Sequence, residues 1–244
     1  MRNESKYDSS RLSYDSPMEG EPSPSAMLSH ASDVTVFIEA YRDGKLCDCG
    51  AGVMITEDGL ILTSIAVLFR MDAAKAVVCK DGERHRYDCE ILYARNWDWP
   101  FALLKIEGSG FTAASLLPAR EPIRTDTPVW VAGFPEADGC SPLALLMEEQ
   151  PAERKPEDLK LSLLTGKIVE EIDDETETAS VDLSGNSGSM GSPVFSAADG
   201  RVIGIYEREI MAMFYGKVYE SCFLRPIRQF LNHFPAVLSE EESE

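Results

Sequence analysis

The sequence is poor in histidine and in basic residues. Its 244 residues hold three histidines (His30, His85 and His233) and 23 lysines and arginines against 42 acids, a formal net charge of −19. So negative a surface repels polyanions, which argues against nucleic acid and anionic membranes as partners. No apolar run approaches the roughly 18 residues that span a bilayer. The start, MRNESKYDSS, has no apolar core of a secretory signal, and its acids Glu4 and Asp8 are foreign to a transit peptide. A soluble chain in the cytoplasm or nucleocytoplasm is therefore expected. Six cysteines (Cys47, Cys49, Cys79, Cys89, Cys140 and Cys222) in a chain this long do not read as a disulfide framework. The Cys47-x-Cys49 pair lacks a second clustered ligand pair, so buried thiols are expected rather than zinc, and no metal or cofactor is expected elsewhere.

What is present is short β-type runs at barrel or sandwich spacing. Val34–Tyr41, Leu46–Ile55, Leu60–Val67, Ala76–Lys80, Arg86–Tyr93 and Phe101–Ile106 make one set. Asp43-Gly44, Asp58-Gly59 and Asp81-Gly82 supply the turns. A Pro-containing stretch, Glu107 to Asp126, reads as a linker. Pro128–Phe134, Leu143–Glu148, Leu161–Ile172, Ala179–Leu183, Ser192–Phe195, Arg201–Glu207 and Met211–Tyr219 make a second set. Ile227, Phe230, Leu231 and Phe234 fall at helical spacing, so a closing helix is expected over about 225–235. Residues 1–32, rich in Ser, Pro, Tyr and charge, read as a disordered arm, with Ser16-Pro17 and Ser23-Pro24 as candidate sites for proline-directed kinases. Residues 236–244 read as an acidic tail.

Three segments carry a resemblance. Cys49-Gly50-Ala51-Gly52-Val53-Met54-Ile55, followed by Asp58-Gly59-Leu60-Ile61-Leu62-Thr63-Ser64-Ile65-Ala66-Val67-Leu68, resembles the "GSGVII…DGYILTNAHVV" segment of chymotrypsin-fold serine proteases of the HtrA/Deg branch. Phe101-Ala102-Leu103-Leu104-Lys105-Ile106 resembles that family's "DLALLKV". Asn186-Ser187-Gly188-Ser189-Met190-Gly191-Ser192-Pro193 resembles "NPGNSGGP", and Asp199-Gly200-Arg201-Val202-Ile203-Gly204-Ile205 resembles "DGxVIGI". The resemblance implies an all-β fold of two packed six-stranded antiparallel barrels with a C-terminal helix. The domain would span residues 33–235, the barrels about 33–107 and 126–222, with no PDZ module.

That family's reaction needs a histidine base, an aspartate that orients it and a serine nucleophile. In register, the histidine falls on Ala66, the aspartate on Pro100 and the serine on Met190. The resemblance thus implies a protease-shaped chain with all three positions substituted. Asp98, His85, Ser187, Ser189 and Ser192 stand near the motifs; the plain readings are a turn acid, a structural or exposed histidine and elbow-flanking serines. Backbone N–H groups of Gly188 and Met190, with Gly191 shaping the turn, could persist as an oxyanion-type nest. The strand Val202–Glu207 resembles the family's substrate-pairing strand and could take an extended peptide by β-addition. Glu170–Asp182 carries seven acids and no base, either a solvated hairpin tip or a docking face for a basic partner; it lacks calcium-loop spacing. The leading expectation is a protein- or peptide-binding, scaffold or regulatory module. The alternatives are an active endopeptidase with a relocated nucleophile such as Ser187, and a structural subunit of a larger assembly.

Overall fold

A computed structural model describes residues 9–94, 99–134, 153–170, 178–183, 190–214 and 217–239, with backbone only over 208–214, 217–221 and 235–239. Twelve strands close into two antiparallel barrels of six. The first holds β1 (Thr35–Arg42), β2 (Lys45–Met54), β3 (Leu60–Ser64), β4 (Ala73–Lys80), β5 (Glu83–Tyr93) and β6 (Phe101–Ile106), in the order β1-β2-β3-β6-β5-β4. The second holds β7 (Pro128–Gly133), β8 (Ser162–Ile168), β9 (Ala179–Leu183), β10 (Pro193–Ser196), β11 (Val202–Phe214) and β12 (Lys217–Pro226), in the order β10-β11-β12-β9-β8-β7. This is the chymotrypsin fold. Closure gives every strand two neighbours, so free edge remains only where a strand outruns its neighbour, as β11 outruns β10.

The turns follow from local chemistry. Asp43-Gly44 and Asp81-Gly82 both take positive φ (52° and 72°, 54° and 81°), the geometry of a two-residue hairpin whose twist matches its strands. At the end of β3, Ser64 caps a single helical turn, α2 (Ile65–Leu68), so the strand expected to run to Val67 stops three residues earlier. Downstream, the two strands expected at Arg201–Glu207 and Met211–Tyr219 are instead one long strand, β11, followed by β12. Their ladder absorbs the irregularity as a register shift between Ile210 and Ala212. Leu143–Glu148 lies outside the described residues.

The largest correction is at the N-terminus. Residues 9–32, expected as a disordered arm, lie along the body of the molecule. They form a 3-10 turn at Ser9–Arg11 and the helix α1 (Pro24–Val34), which starts with Ser23 as cap and Pro24 at its first position. Leu12, Met27, Ala31 and Val34 are buried in the same cluster as Val129, Phe195 and Ile205. The Leu116 amide donates to the Ser13 carbonyl at 2.8 Å. Apolar anchors, spaced too irregularly to read as an element, hold this strap down. At the other end, α3 (Ile227–Ser239) lays Phe230 against the rings of Trp99 and Phe101, at 6.0 and 5.9 Å between centroids, and so ties the second barrel's last element to the first barrel. No helix among the described residues is long and apolar enough to cross a membrane.

Candidate active-site cleft

Ala66 sits in α2, and Ser64 makes that turn. In extended conformation, its hydroxyl accepts a 3.2 Å hydrogen bond from the Ala66 amide. The next amide, of Ile65, donates to the Pro100 carbonyl at 2.8 Å, which sets Pro100 beside the turn. Met190 arrives from the second barrel just ahead of β10. Its carbonyl accepts from the Ala51 amide at 2.8 Å, and its side chain packs against the first-barrel cluster that contains Val67 and Leu68. The Pro100 backbone thus lies beside the α2 turn that carries Ala66, and Met190 packs against the apolar cluster that the same turn joins, at the seam between the barrels.

The backbone at this seam is tightly specified. Gly191 has φ +81° and donates to the Tyr206 carbonyl at 3.0 Å; a Cβ there would drive into the Ala51 carbonyl and the Thr63 hydroxyl. The Thr63 hydroxyl itself donates to the Ala51 carbonyl at 2.6 Å. Gly191 is therefore required by close approach as well as by conformation. Gly188, Ser187 and Ser189 lie outside the described residues, as does Asp98. Ser192 is fully buried, and its hydroxyl has no hydrogen-bond partner among the described residues.

Sequence reasoning missed a buried polar cluster at the seam. Ser64 Oγ donates to Glu207 Oε1 at 2.5 Å, and Arg225 Nε donates to Glu207 Oε2 at 2.8 Å. Ser64 is fully buried, the Glu207 side chain is 8 % exposed and Arg225 23 %. β11 and β12 bring the acid and base together, and β3 supplies the serine, so the cluster bridges the barrels. A signal existed: one acid closes the apolar run Val202–Tyr206, and one base interrupts the apolar run Phe223–Ile227. A charge set into a buried strand needs a partner.

The histidines are engaged elsewhere. His30, on α1, stands edge-on to Phe195 at 5.8 Å. Burial holds its pKa below the ordinary imidazole value, with the Asp33 charge and a bond to Gly200 pulling the other way. His85, on β5, is about half exposed with Nε2 3.9 Å from Glu83. His233, on α3, bonds the Gln229 carbonyl through Nδ1 at 2.9 Å. A cavity of about 470 Å³ lies away from the cleft, where Arg11 of the strap meets Thr56, Asp58 and Ser109. Among the described residues, no group of three or more His, Cys, Asp or Glu could hold a metal ion.

Val202–Glu207, the stretch expected to take an extended peptide, forms the first part of β11. Val202–Ile205 already pairs with β10, and Gly204–Phe214 pairs with β12. Tyr206 still bonds backward, through its amide to Ser192 and its carbonyl to Gly191. On the β10 side, the described ladder ends there, so from Glu207 onward β11 has no partner in β10 among the described residues. The acid-rich stretch Glu170–Asp182 connects β8 to β9 as a hairpin, with Glu170 accepting from the Ser180 hydroxyl at 2.7 Å; residues 171–177 lie outside the described set.

Residues 50–205 match the trypsin-like peptidase domain family. The chain belongs to it. Among solved structures, the chain is similar to the serine endoprotease from Yersinia pestis, with a TM-score of 0.65 and 16 % identity over 91 % of this chain and 69 % of that one. It is also similar to Deg5, with a TM-score of 0.60 and 19 % identity over 87 % of this chain and 92 % of that one. At those identities the likeness is one of fold. No curated protein sequence matches the chain. Membership gives this trypsin-like domain its scaffold, and what the cleft does depends on the side chains it carries.

Proposed function

We propose that this trypsin-like domain is a non-catalytic member of its family and acts as a protein- or peptide-binding, scaffold or regulatory module. The observation that carries the proposal is the cleft's make-up. In the family's motif register Ala66, Pro100 and Met190 stand at the positions of base, orienting acid and nucleophile, and the hydroxyl two residues from Ala66 donates to Glu207. A serine hydroxyl is a poor nucleophile without an adjacent base. A thioether has no proton to give up and forms no acyl ester, so the covalent route is closed at Met190. The described backbone of β11 from Glu207 onward supports a peptide added as a further strand. The acidic β8–β9 connection favours a basic partner, whose capture would weaken as salt is raised.

The decisive experiment treats the full chain with a fluorophosphonate probe and, in parallel, with casein. Neither labelling nor cleavage is expected. Labelling that disappears in Ser187→Ala would establish a relocated nucleophile and make the protein an endopeptidase.

A further inference from the structure

We propose that Ser16 is a phosphorylation site whose modification releases the N-terminal strap, residues 9–34, from the barrels. The strap is held at separate points. Arg11 pairs with Asp58 at 2.7 Å, Leu12 is buried, and Ser13 pairs with Ser115 through backbone and hydroxyl. Further along, Met18 packs on the core, and α1 buries Met27, Ala31 and Val34. Between the anchors Leu12 and Met18, residues Tyr14 to Pro17 are exposed. An accessible serine followed by proline is what a proline-directed kinase reads, and Ser16-Pro17 presents it.

Charge decides what the phosphate would do. Ser16 Oγ lies 3.5 Å from Asp199 Oδ2. Burial pushes the Asp199 carboxyl up, but bonds from the Arg201 amide, the Arg201 guanidinium and the Ser196 hydroxyl outweigh it and hold the carboxyl ionised, below its usual range. Arg201 is already engaged. Its Nε meets Asp199 at 2.6 Å, and its two terminal nitrogens meet Glu121 at 2.8 Å each. Asp15, Glu19 and Glu21 add further negative charge on the strap. A phosphoserine brings about −1.5 to −2 more into this field, where like-charge repulsion disrupts packing. The contact beside it depends on close fit: Pro17 and Met18 lie on Gly200, where a Cβ would come within 3.3 Å of Pro17 Cγ and Met18 Sδ, and a small displacement of the strap forfeits those contacts.

The chemistry is an ordinary phosphoryl transfer from ATP. The bond from Ser16 Oγ to the γ-phosphorus forms, the bond from that phosphorus to the bridging oxygen breaks, ADP leaves and the hydroxyl proton passes to the kinase's base. The full chain, with phosphoserine placed at position 16 by a recoded codon, is compared with the unmodified chain by two readouts: tryptic cleavage after Arg11, and hydrogen exchange of the Leu116 amide that bonds Ser13. Both are expected to accelerate about fivefold or more, the lower end of ordinary couplings between sites. Phosphoserine at position 23, where a negative group favours the start of α1, is expected to change neither. In Asp199→Asn, read against its own unphosphorylated form, the acceleration is expected to shrink. Unchanged or slower exchange at Leu116 would overturn the proposal, slower exchange meaning that Arg201 had captured the phosphate. So would a proline-directed kinase that leaves Ser16 of the folded chain unmodified.

Discussion

Glu207 is the residue on which the cleft depends, because two donors from two barrels converge on its carboxylate. Glu207→Gln keeps the shape but removes the charge Arg225 faces, and one amide nitrogen meets a donor. A hydrogen bond to a charged group contributes about 1.5–3 kcal/mol, so urea unfolding is expected to register a loss in that range. Ser64→Ala is expected to cost less, since it leaves the Arg225 pair intact. Because both changes act on one network, the double variant is expected to lose less than the sum; strict additivity would mean the two contacts are independent. His30 yields a prediction of a different kind. Its folded pKa lies below the ordinary value near 6.5, so the unfolded chain binds the proton first. Stability is therefore flat well above pH 6.5 and falls as pH drops below it, as α1 is asked to keep a charged ring against Phe195. The groups facing that ring are Asp33 on its own helix and the Gly200 backbone, and neither offsets burial. Urea unfolding at pH 7.5, 6 and 5 is expected to show this slope in the natural chain and to lose it in His30→Gln.

At the scale of elements, the seam turn that carries Met190 tolerates little. Gly191→Ala combines a positive φ with a clash against the backbone of β2, and strain at such positions alone costs about 1–3 kcal/mol. The variant is expected to unfold at lower urea by at least that much, whereas Gly82→Ala, at an open hairpin tip with positive φ and nothing within 4 Å, is expected to show the backbone term alone. The contrast between those two glycines also explains what sequence reading can reach. Hairpins such as Asp43-Gly44 and Asp81-Gly82 are legible because one dipeptide specifies the turn. The strands between them are legible because β-type residues run in short, bounded blocks. The strap is not, because its anchors Leu12, Met18 and Met27 follow neither period, although Ser23-Pro24 ahead of Met27, Ala31 and Val34 does carry a helix-start signature. The Ser64–Glu207–Arg225 cluster joins residues up to 161 positions apart, and only the closed barrels bring β3 against β11. The positions Ala66, Pro100 and Met190 can be singled out for the opposite reason: flanking apolar and glycine residues set the motif register whatever side chain stands there.

For the molecule as a whole, the test is whether the two barrels can hold the geometry that a Ser-His-Asp triad requires. The backbone bonds argue that they can. Ile65 to Pro100 fixes the α2 turn against the start of β6, Ala51 to Met190 fixes the Met190 turn against β2, and Gly191 to Tyr206 fixes it against β11. None of these bonds involves the side chains of Ala66, Pro100 or Met190. Ala66→His, Pro100→Asp and Met190→Ser therefore put base, orienting acid and hydroxyl onto a frame that is already set. The three act as a unit, so each single variant is expected to remain unlabelled by a fluorophosphonate probe: Met190→Ser alone has a hydroxyl with no base, and Ala66→His alone has a base with no nucleophile. The triple variant is expected to label at the introduced hydroxyl, slowly, because Glu207 keeps Ser64 engaged beside the new imidazole and competes for its orientation. Adding Glu207→Gln removes the competing charge and is expected to speed labelling at some cost in stability. A triple variant that unfolds at the same urea concentration as the natural chain, yet stays unlabelled with and without Glu207→Gln, would mean that the seam no longer holds a triad's spacing.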